Sequence, residues 1–106
     1  MFFRRKIKKA KDVELILNKI IEMLFDMGFE ETIITNPYRS FKSYVCGEFY
    51  CIPQYVEMPG FLIEYAHTYE EAKAHGYEDG DSFPLSMGET VILEGLKKEL
   101  EQNIES

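Results

Sequence analysis

The chain has 106 residues, of which 45% are hydrophobic and 14% aromatic, enough to fill the core of one domain and to exclude a disordered chain. Two cysteines exclude a disulfide framework, and no apolar run approaches the roughly 20 residues that a membrane-spanning helix needs. Every acidic residue follows the first eleven positions, so residues 1–11 carry +6 and residues 12–106 carry −13. Such an asymmetry bears on partners rather than on fold.

The first predicted element is a helix over residues 12–27, where apolar residues recur at helical spacing. Phe3, Ile7 and Ala10 continue the apolar stripe backwards, so the helix could begin near residue 3. Cations in those opening turns would oppose the helix dipole, which favours anions there. The pattern leaves the start of this helix open.

Residues 31–66 change to a composition typical of strands, rich in β-branched and aromatic residues. Short connections between the runs favour antiparallel pairing, because a parallel crossover needs a dozen or more residues. We therefore expect an antiparallel meander of three to four strands. The runs are Glu31–Thr35, Phe41–Cys46, Phe49–Ile52 and Phe61–Ala66.

The cysteines and histidines are the residues that could hold a metal. If a two-residue loop follows Cys46, Cys51 pairs with Tyr44, and the two cysteines lie diagonally on one sheet face, too far apart for easy disulfide geometry. His67 and His75 are the only histidines, and neither CxxC nor HxxxH spacing is present. No metal site and no cofactor are predicted.

Two capping-box patterns predict two further helices. Thr68 with Glu71 opens a short helix, and Ser86 with Glu89 opens a longer amphipathic one. Residues 77–85, between them, are predicted to be a loop or, at their end, a short edge strand.

The predicted fold is α+β in a single domain of residues 1–106. It comprises an N-terminal helix, a three- to four-stranded antiparallel sheet and two C-terminal helices, with the helices packed on one sheet face.

The basic start lacks a charge-free apolar segment and a cleavage site, so we expect a cytoplasmic protein. Nucleophile-elbow, phosphate-loop and HExxH patterns are missing from the sequence, so no enzyme and no catalytic residue are predicted.

Residues 1–11 form a candidate basic arm. Clustered lysines and arginines bind nucleic acid by releasing counterions and dock on anionic membranes. The alternatives are a solvated terminus and an arm that folds back along the acidic body. The candidate nucleic-acid or membrane-binding residues are Arg4, Arg5, Lys6, Lys8, Lys9 and Lys11.

Carboxylates alternate with tyrosines in residues 69–81, and this pattern predicts a protein-binding surface. Charge steers a basic partner to such a surface and tyrosines anchor it. The Asp79-Gly80-Asp81 run lacks the later ligands of a calcium loop, so a turn is favoured there. Tyr38 and Tyr55 are further surface candidates. The predicted contact residues are Tyr69, Glu70, Glu71, Tyr77, Glu78, Asp79 and Asp81.

The C-terminal half contains Phe61–Ala66, then Thr68–Ala72, then Tyr77–Ser86 and a final amphipathic helix. In this order of segments it resembles small bacterial immunity proteins of polymorphic toxin systems. The resemblance implies a protein that binds a cognate toxin, often a nuclease, and blocks its active site. The implied partner is a basic toxin domain, whose cationic cleft the carboxylates would occupy in place of substrate phosphates. The resemblance assigns no site residue and does not account for the basic arm.

Overall fold

The structure, a computed structural model, describes the backbone of residues 2–105 and the side chains of residues 9–104. Helices lie at both ends of this part of the chain, and an antiparallel meander lies between them. In chain order the elements are α1 (Phe2–Asp26), β1 (Glu30–Thr35), β2 (Ser40–Cys46), β3 (Phe49–Tyr55), β4 (Phe61–Ala66), α2 (Tyr69–Lys73), β5 (Asp79–Phe83), a 3-10 turn (Leu85–Met87) and α3 (Glu89–Glu105).

The sheet has five strands in the order β1-β2-β3-β4-β5, and each neighbouring pair is antiparallel. The predicted α+β class and antiparallel meander are confirmed, but the predicted number of three to four strands is too low. The additional strand, β5, lies where mainly a loop was predicted. Its Asp, Gly and Ser residues have low strand propensity, so pairing with β4, rather than local preference, makes this segment a strand.

The β2–β3 hairpin has the predicted register. Cys46 lies opposite Phe49 and Cys51 opposite Tyr44. Both cysteines are free, with Cys51 buried and Cys46 half-buried. A two-residue loop therefore sets the strand pairing here, as the sequence indicates.

One face of the sheet is covered by α1 and α3, which enclose the main core. Ile20 and Leu24 of α1 and Ile92 and Leu96 of α3 are fully buried against this face. The pattern along α1 that predicts a helix is therefore the pattern of its contacts with the sheet. The Lys19 ammonium lies 2.7 Å from the Glu89 carboxylate and joins the two helices at their exposed edge.

The opposite face carries α2. Ala72 of this helix is buried together with Ile34, Ala66 and Tyr77. The expectation that both later helices share one sheet face is therefore wrong. Ala66 follows Tyr65, whose ring belongs to the main core, and successive strand residues point to opposite faces. The chain leaves β4 on the far side and packs α2 there.

One of the two predicted capping boxes is present in part. The Thr68 hydroxyl accepts a hydrogen bond from the Glu71 amide at 3.1 Å and so caps α2. The Glu71 carboxylate accepts from the backbone amide of His67, one residue before the amide that a capping box would use. The second prediction is wrong, because Ser86 lies in the 3-10 turn and α3 begins at Glu89. Gly88, with a φ of 87°, separates Ser86 from the helix and breaks the geometry that a capping box requires.

The first helix begins at Phe2, so the basic arm contributes its opening turns. Of the predicted arm residues, Arg4, Arg5, Lys6 and Lys8 have side chains outside the described residues. Lys9 is described, and its ammonium lies 3.0 Å from the Glu57 carboxylate in the turn between β3 and β4.

Candidate protein-interaction surface

The turn between β1 and β2 is held against α2 by one side chain. The side-chain carbonyl oxygen of Asn36, Oδ1, accepts hydrogen bonds from the backbone amides of Tyr38 and Arg39, at 2.8 and 3.0 Å. Its amide nitrogen donates to the carbonyl oxygen of Lys73, the last residue of α2, at 2.9 Å. Asparagine is suited to this position because its carbonyl folds a turn while its NH₂ group remains free to donate.

A shallow cleft of about 380 Å³ lies between this turn and α2. Tyr38 lines the cleft from the turn, and Glu70 and Lys73 line it from the helix. Tyr38 is 94% exposed, the highest value among the large hydrophobic side chains that the structure describes. On the same helix, Tyr69 is 51% exposed, with its ring centre 6.2 Å from that of Tyr50.

His67 connects the start of α2 to the start of β5. Its Nε2 lies 3.0 Å from a carboxylate oxygen of Asp79. Its backbone amide donates to the Glu71 carboxylate at 3.2 Å. The imidazole also lies against Phe49, with ring centres 5.5 Å apart. Two of the predicted contact residues are therefore brought together through a histidine to which the sequence assigned no role.

The exposed residues at and beside these contacts are here called the α2 surface. They extend from the cleft along α2 and, past His67, round the end of the sheet to the start of β5, on the side where His67 packs on Phe49. All of its members are exposed, and carboxylates outnumber cations on it. Its members are Tyr38, His67, Tyr69, Glu70, Glu71, Lys73, Glu78 and Asp79.

Two predicted contact residues do not lie on this surface. Tyr77 is only 6% exposed, and its hydroxyl lies 2.9 Å from the Ser43 hydroxyl in the interior. The expectation that Tyr77 is a surface tyrosine is therefore wrong. Asp81 is half-buried, and its carboxylate accepts a hydrogen bond from the Tyr65 hydroxyl at 2.8 Å. Asp79 and Asp81 are two residues apart and share one face of β5. They differ in burial, because Asp79 is exposed at the start of the strand, whereas Asp81 lies opposite Ile63 of the main core.

The Asp79-Gly80-Asp81 run forms the first three residues of β5 rather than the predicted turn. Gly80 permits this, because a Cβ at that position would lie 2.6 Å from the carbonyl oxygen of Ile63 on β4. The glycine that suggests a turn in the sequence instead allows a close approach between two strands.

A second cleft of about 380 Å³ lies at the β2–β3 turn and is lined by Cys46, Phe49, His67 and Asn103, among others. Phe49 is opposite Cys46 on one side, and its ring packs on the His67 ring on the other. The His67 Nε2 is directed to the Asp79 carboxylate and not to the Cys46 thiol, so among the described residues of this cleft no nucleophile–base hydrogen bond is formed.

Cys51 is part of the hydrophobic core. Its side chain is fully buried, and burial raises the pKa of the thiol to about 12, so it stays protonated. Within the described residues, no group of three His, Cys, Asp or Glu side chains could hold a metal ion.

No family model, no curated protein sequence and no solved structure matches the chain. Over the residues that the structure describes, no helix is both long and apolar enough to cross a membrane.

Proposed function

We propose that the chain is a protein-binding module that inhibits a basic partner through the α2 surface, in the manner of the immunity proteins that its C-terminal half resembles. The observation that carries this proposal is the position of Tyr38. An almost fully exposed tyrosine lines a cleft beside the Glu70 carboxylate, on a turn that Asn36 holds in place.

Preorganisation makes this surface suited to binding. An exposed tyrosine supplies a large contact area and loses little conformational entropy when it binds. Asn36 fixes the turn before any partner arrives, so the ordering cost of binding is small. Tyr69, half-exposed on the first turn of α2, provides a second aromatic contact.

Charge determines the kind of partner. Glu70, Glu71, Glu78 and Asp79 are exposed along this surface, and Lys73 is the cation among its members. Such a surface steers a partner with a cationic cleft and disfavours nucleic acid. A nuclease that binds substrate phosphates through lysines and arginines has a cleft of this chemistry, and carboxylates placed there would exclude the substrate.

The test measures the affinity of the purified chain for the protein encoded by the neighbouring gene. We expect Tyr38→Ala to weaken binding by about tenfold or more, which is the loss of an interface anchor. Glu70→Lys should weaken it further and mainly slow association. The matched controls are Val91→Ala and Glu94→Lys on α3, which lies on the opposite sheet face.

Equal affinities for Tyr38→Ala, Glu70→Lys and the two controls would reject the α2 surface. The alternative, a nucleic-acid or anionic-membrane binder acting through residues 1–11, predicts a different result. In that case the full chain binds DNA or anionic vesicles at low salt, and removal of those residues abolishes binding.

A further inference from the structure

The two edges of the sheet differ in how they are protected from pairing with another strand. Edge strands expose unpaired backbone groups, and proteins usually guard them with charges, prolines or glycine-induced irregularity. At one edge, β5 has five residues, among them Asp79, Gly80 and Asp81. At the other, β1 has six residues with the sequence EETIIT, and its central and C-terminal part carries no charge. The β1 edge is the unprotected one.

Ile33, near the middle of β1, adds an apolar contact to this open edge. Its side chain is 60% exposed, although isoleucine is among the residues most often buried. Ile33 lies opposite Lys42 and Glu31 lies opposite Tyr44, so these side chains share one sheet face. On that face the half-exposed Phe25 ring of α1 packs edge-on against Tyr44, with ring centres 5.9 Å apart. Apolar surface therefore flanks the open backbone of β1.

We propose that β1 is the binding edge for a second copy of this chain, which pairs antiparallel with it across a two-fold axis at Ile33. This interface lies on β1 and does not depend on the proposed function of the α2 surface. Two five-stranded sheets then join into one continuous sheet, and the contact is self-complementary, as a two-fold dimer requires.

The register follows from pairing the exposed Ile33 side chain with its own copy while keeping the carboxylates of β1 apart. With the axis at Ile33, the two Ile33 side chains face each other, Thr32 faces Ile34 and Glu31 faces Thr35. No carboxylate then faces another, and each Glu31 carboxylate keeps its own partner, the Lys42 ammonium at 3.2 Å. An axis at Glu31 would instead place like charges directly opposite, which is destabilising.

Self-association of this kind has a distinctive salt dependence. Each copy carries a net charge of −7, so the two copies repel, and added salt screens the repulsion. Dimer formation should therefore strengthen as salt increases. Binding of a basic partner to the α2 surface should instead weaken, because there salt screens an attraction. This difference distinguishes failure of one proposal from failure of the other.

The test is sedimentation equilibrium of the full chain across a range of protein and salt concentrations. We expect twice the monomer mass at high concentration, with the dissociation constant decreasing as salt increases. Ile33→Lys places two ammonium groups at the axis and should raise the dissociation constant about tenfold or more. The matched control, Val91→Lys on α3, replaces another half-exposed apolar residue and should dimerise at least as well as the wild type.

A monomer mass for the wild type under all of these conditions would overturn the proposal, as would equal weakening by Ile33→Lys and Val91→Lys.

A second variant tests the register by disulfide cross-linking and does not require a dissociation constant. Residues directly opposite in an antiparallel pair have Cβ atoms about 4.5–5.5 Å apart, close to disulfide distance. Ile33→Cys should form a disulfide-linked dimer under mild oxidation, and Val91→Cys should not. The reverse result would contradict the register.

Discussion

Tyr77 and Ser43 are joined by a buried hydrogen bond, with 2.9 Å between their hydroxyl oxygens. The Ser43 hydroxyl donates its single proton to the carbonyl oxygen of Cys51 at 3.1 Å, so the Tyr77 hydroxyl must be the donor to Ser43. Burial raises the pKa of Tyr77, which keeps this proton in place. The bond joins the segment between α2 and β5 to the sheet. It thereby fixes the position of α2 relative to Glu78 and Asp79 at the start of β5.

Removing either hydroxyl should destabilise the protein, but unequally. Tyr77→Phe removes one hydrogen bond and should lower the free energy of unfolding by about 1 kcal/mol. Ser43→Ala leaves the buried Tyr77 hydroxyl without its acceptor and should cost about 2 kcal/mol. Urea unfolding of both single variants and the double variant measures the coupling. A smaller cost for Ser43→Ala than for Tyr77→Phe would contradict this donor assignment.

Two glycines with positive φ should differ in their tolerance of alanine. Gly60 has a φ of 127°, and a Cβ there would lie 2.6 Å from the carbonyl oxygen of Phe83. Gly47 has a φ of 63° and open space around it. We expect Gly47→Ala to cost about 1 kcal/mol, the price of a left-handed residue. Gly60→Ala should cost about 3 kcal/mol or more, since a backbone clash adds to the strain. Thermal unfolding of the two variants tests this order.

Stability should decrease in alkaline solution because of buried ionisable groups. Burial raises the pKa of Cys51 from 9.0 to about 12. Burial, with the hydrogen bond to Asp81, also raises the pKa of Tyr65. A folded-state pKa above the unfolded one means that the folded protein holds its proton more tightly. The resulting stabilisation is complete below the unfolded value and is lost as the pH rises through the folded one.

The free energy of unfolding should therefore fall between pH 9 and about pH 12. Cys51→Ala should flatten this decline, because it removes one of the titrating groups. Val91→Ala serves as the control, since Val91 does not ionise. Urea unfolding at a series of pH values gives the slopes, and identical slopes for Cys51→Ala and the wild type would refute the assignment.

Asn36 should matter for both stability and binding. Asn36→Ala removes two bonds within the turn and one to α2, and we expect a cost of about 1 kcal/mol because the site is exposed to water. Asn36→Asp keeps the turn acceptor but places a carboxylate oxygen against the Lys73 carbonyl oxygen at the C-terminal end of α2, so it should not restore the contact with the helix. If the turn is preorganised for a partner, Asn36→Ala should also weaken binding although it need not touch the partner. Unchanged affinity would argue against preorganisation.

The ion pair between Lys9 and Glu57 should contribute little to stability. Its side chains are 44% and 83% exposed, and exposed pairs are screened by water and salt. The Glu57 carboxylate raises the pKa of Lys9, which remains charged throughout the neutral range. We expect Glu57→Gln to leave the midpoint of urea unfolding unchanged within the error of the measurement. A clear decrease in the midpoint would indicate a stronger connection between α1 and the β3–β4 turn.

Much of the fold follows from local sequence. The apolar periodicity of residues 12–27 predicts most of α1, because one stripe of that helix is its contact with the sheet. The two-residue loop after Cys46 predicts a register that the structure confirms, because short loops leave strands little freedom. Thr68 caps α2 as its spacing to Glu71 indicates, since a capping box acts within a single turn.

The parts that local sequence does not determine are those that depend on a distant partner. β5 becomes a strand because β4 offers it an edge, and Gly80 lets the two strands approach. Tyr77 is buried with Ile34, Ala66 and Ala72, and its hydroxyl is satisfied there because Ser43, distant in the sequence, accepts its hydrogen bond. The cleft beside Tyr38 exists because Asn36 reaches the end of α2.

The sequence by itself thus determined the fold class, the first helix and the hairpin register, all of which depend on interactions between near neighbours in the chain. Only the tertiary structure decided which sheet face α2 covers and which of the predicted acidic and tyrosine residues share a surface. Neighbouring residues along a strand lie on opposite faces of the sheet, and hydrogen bonds between distant residues satisfy the polar side chains that become buried.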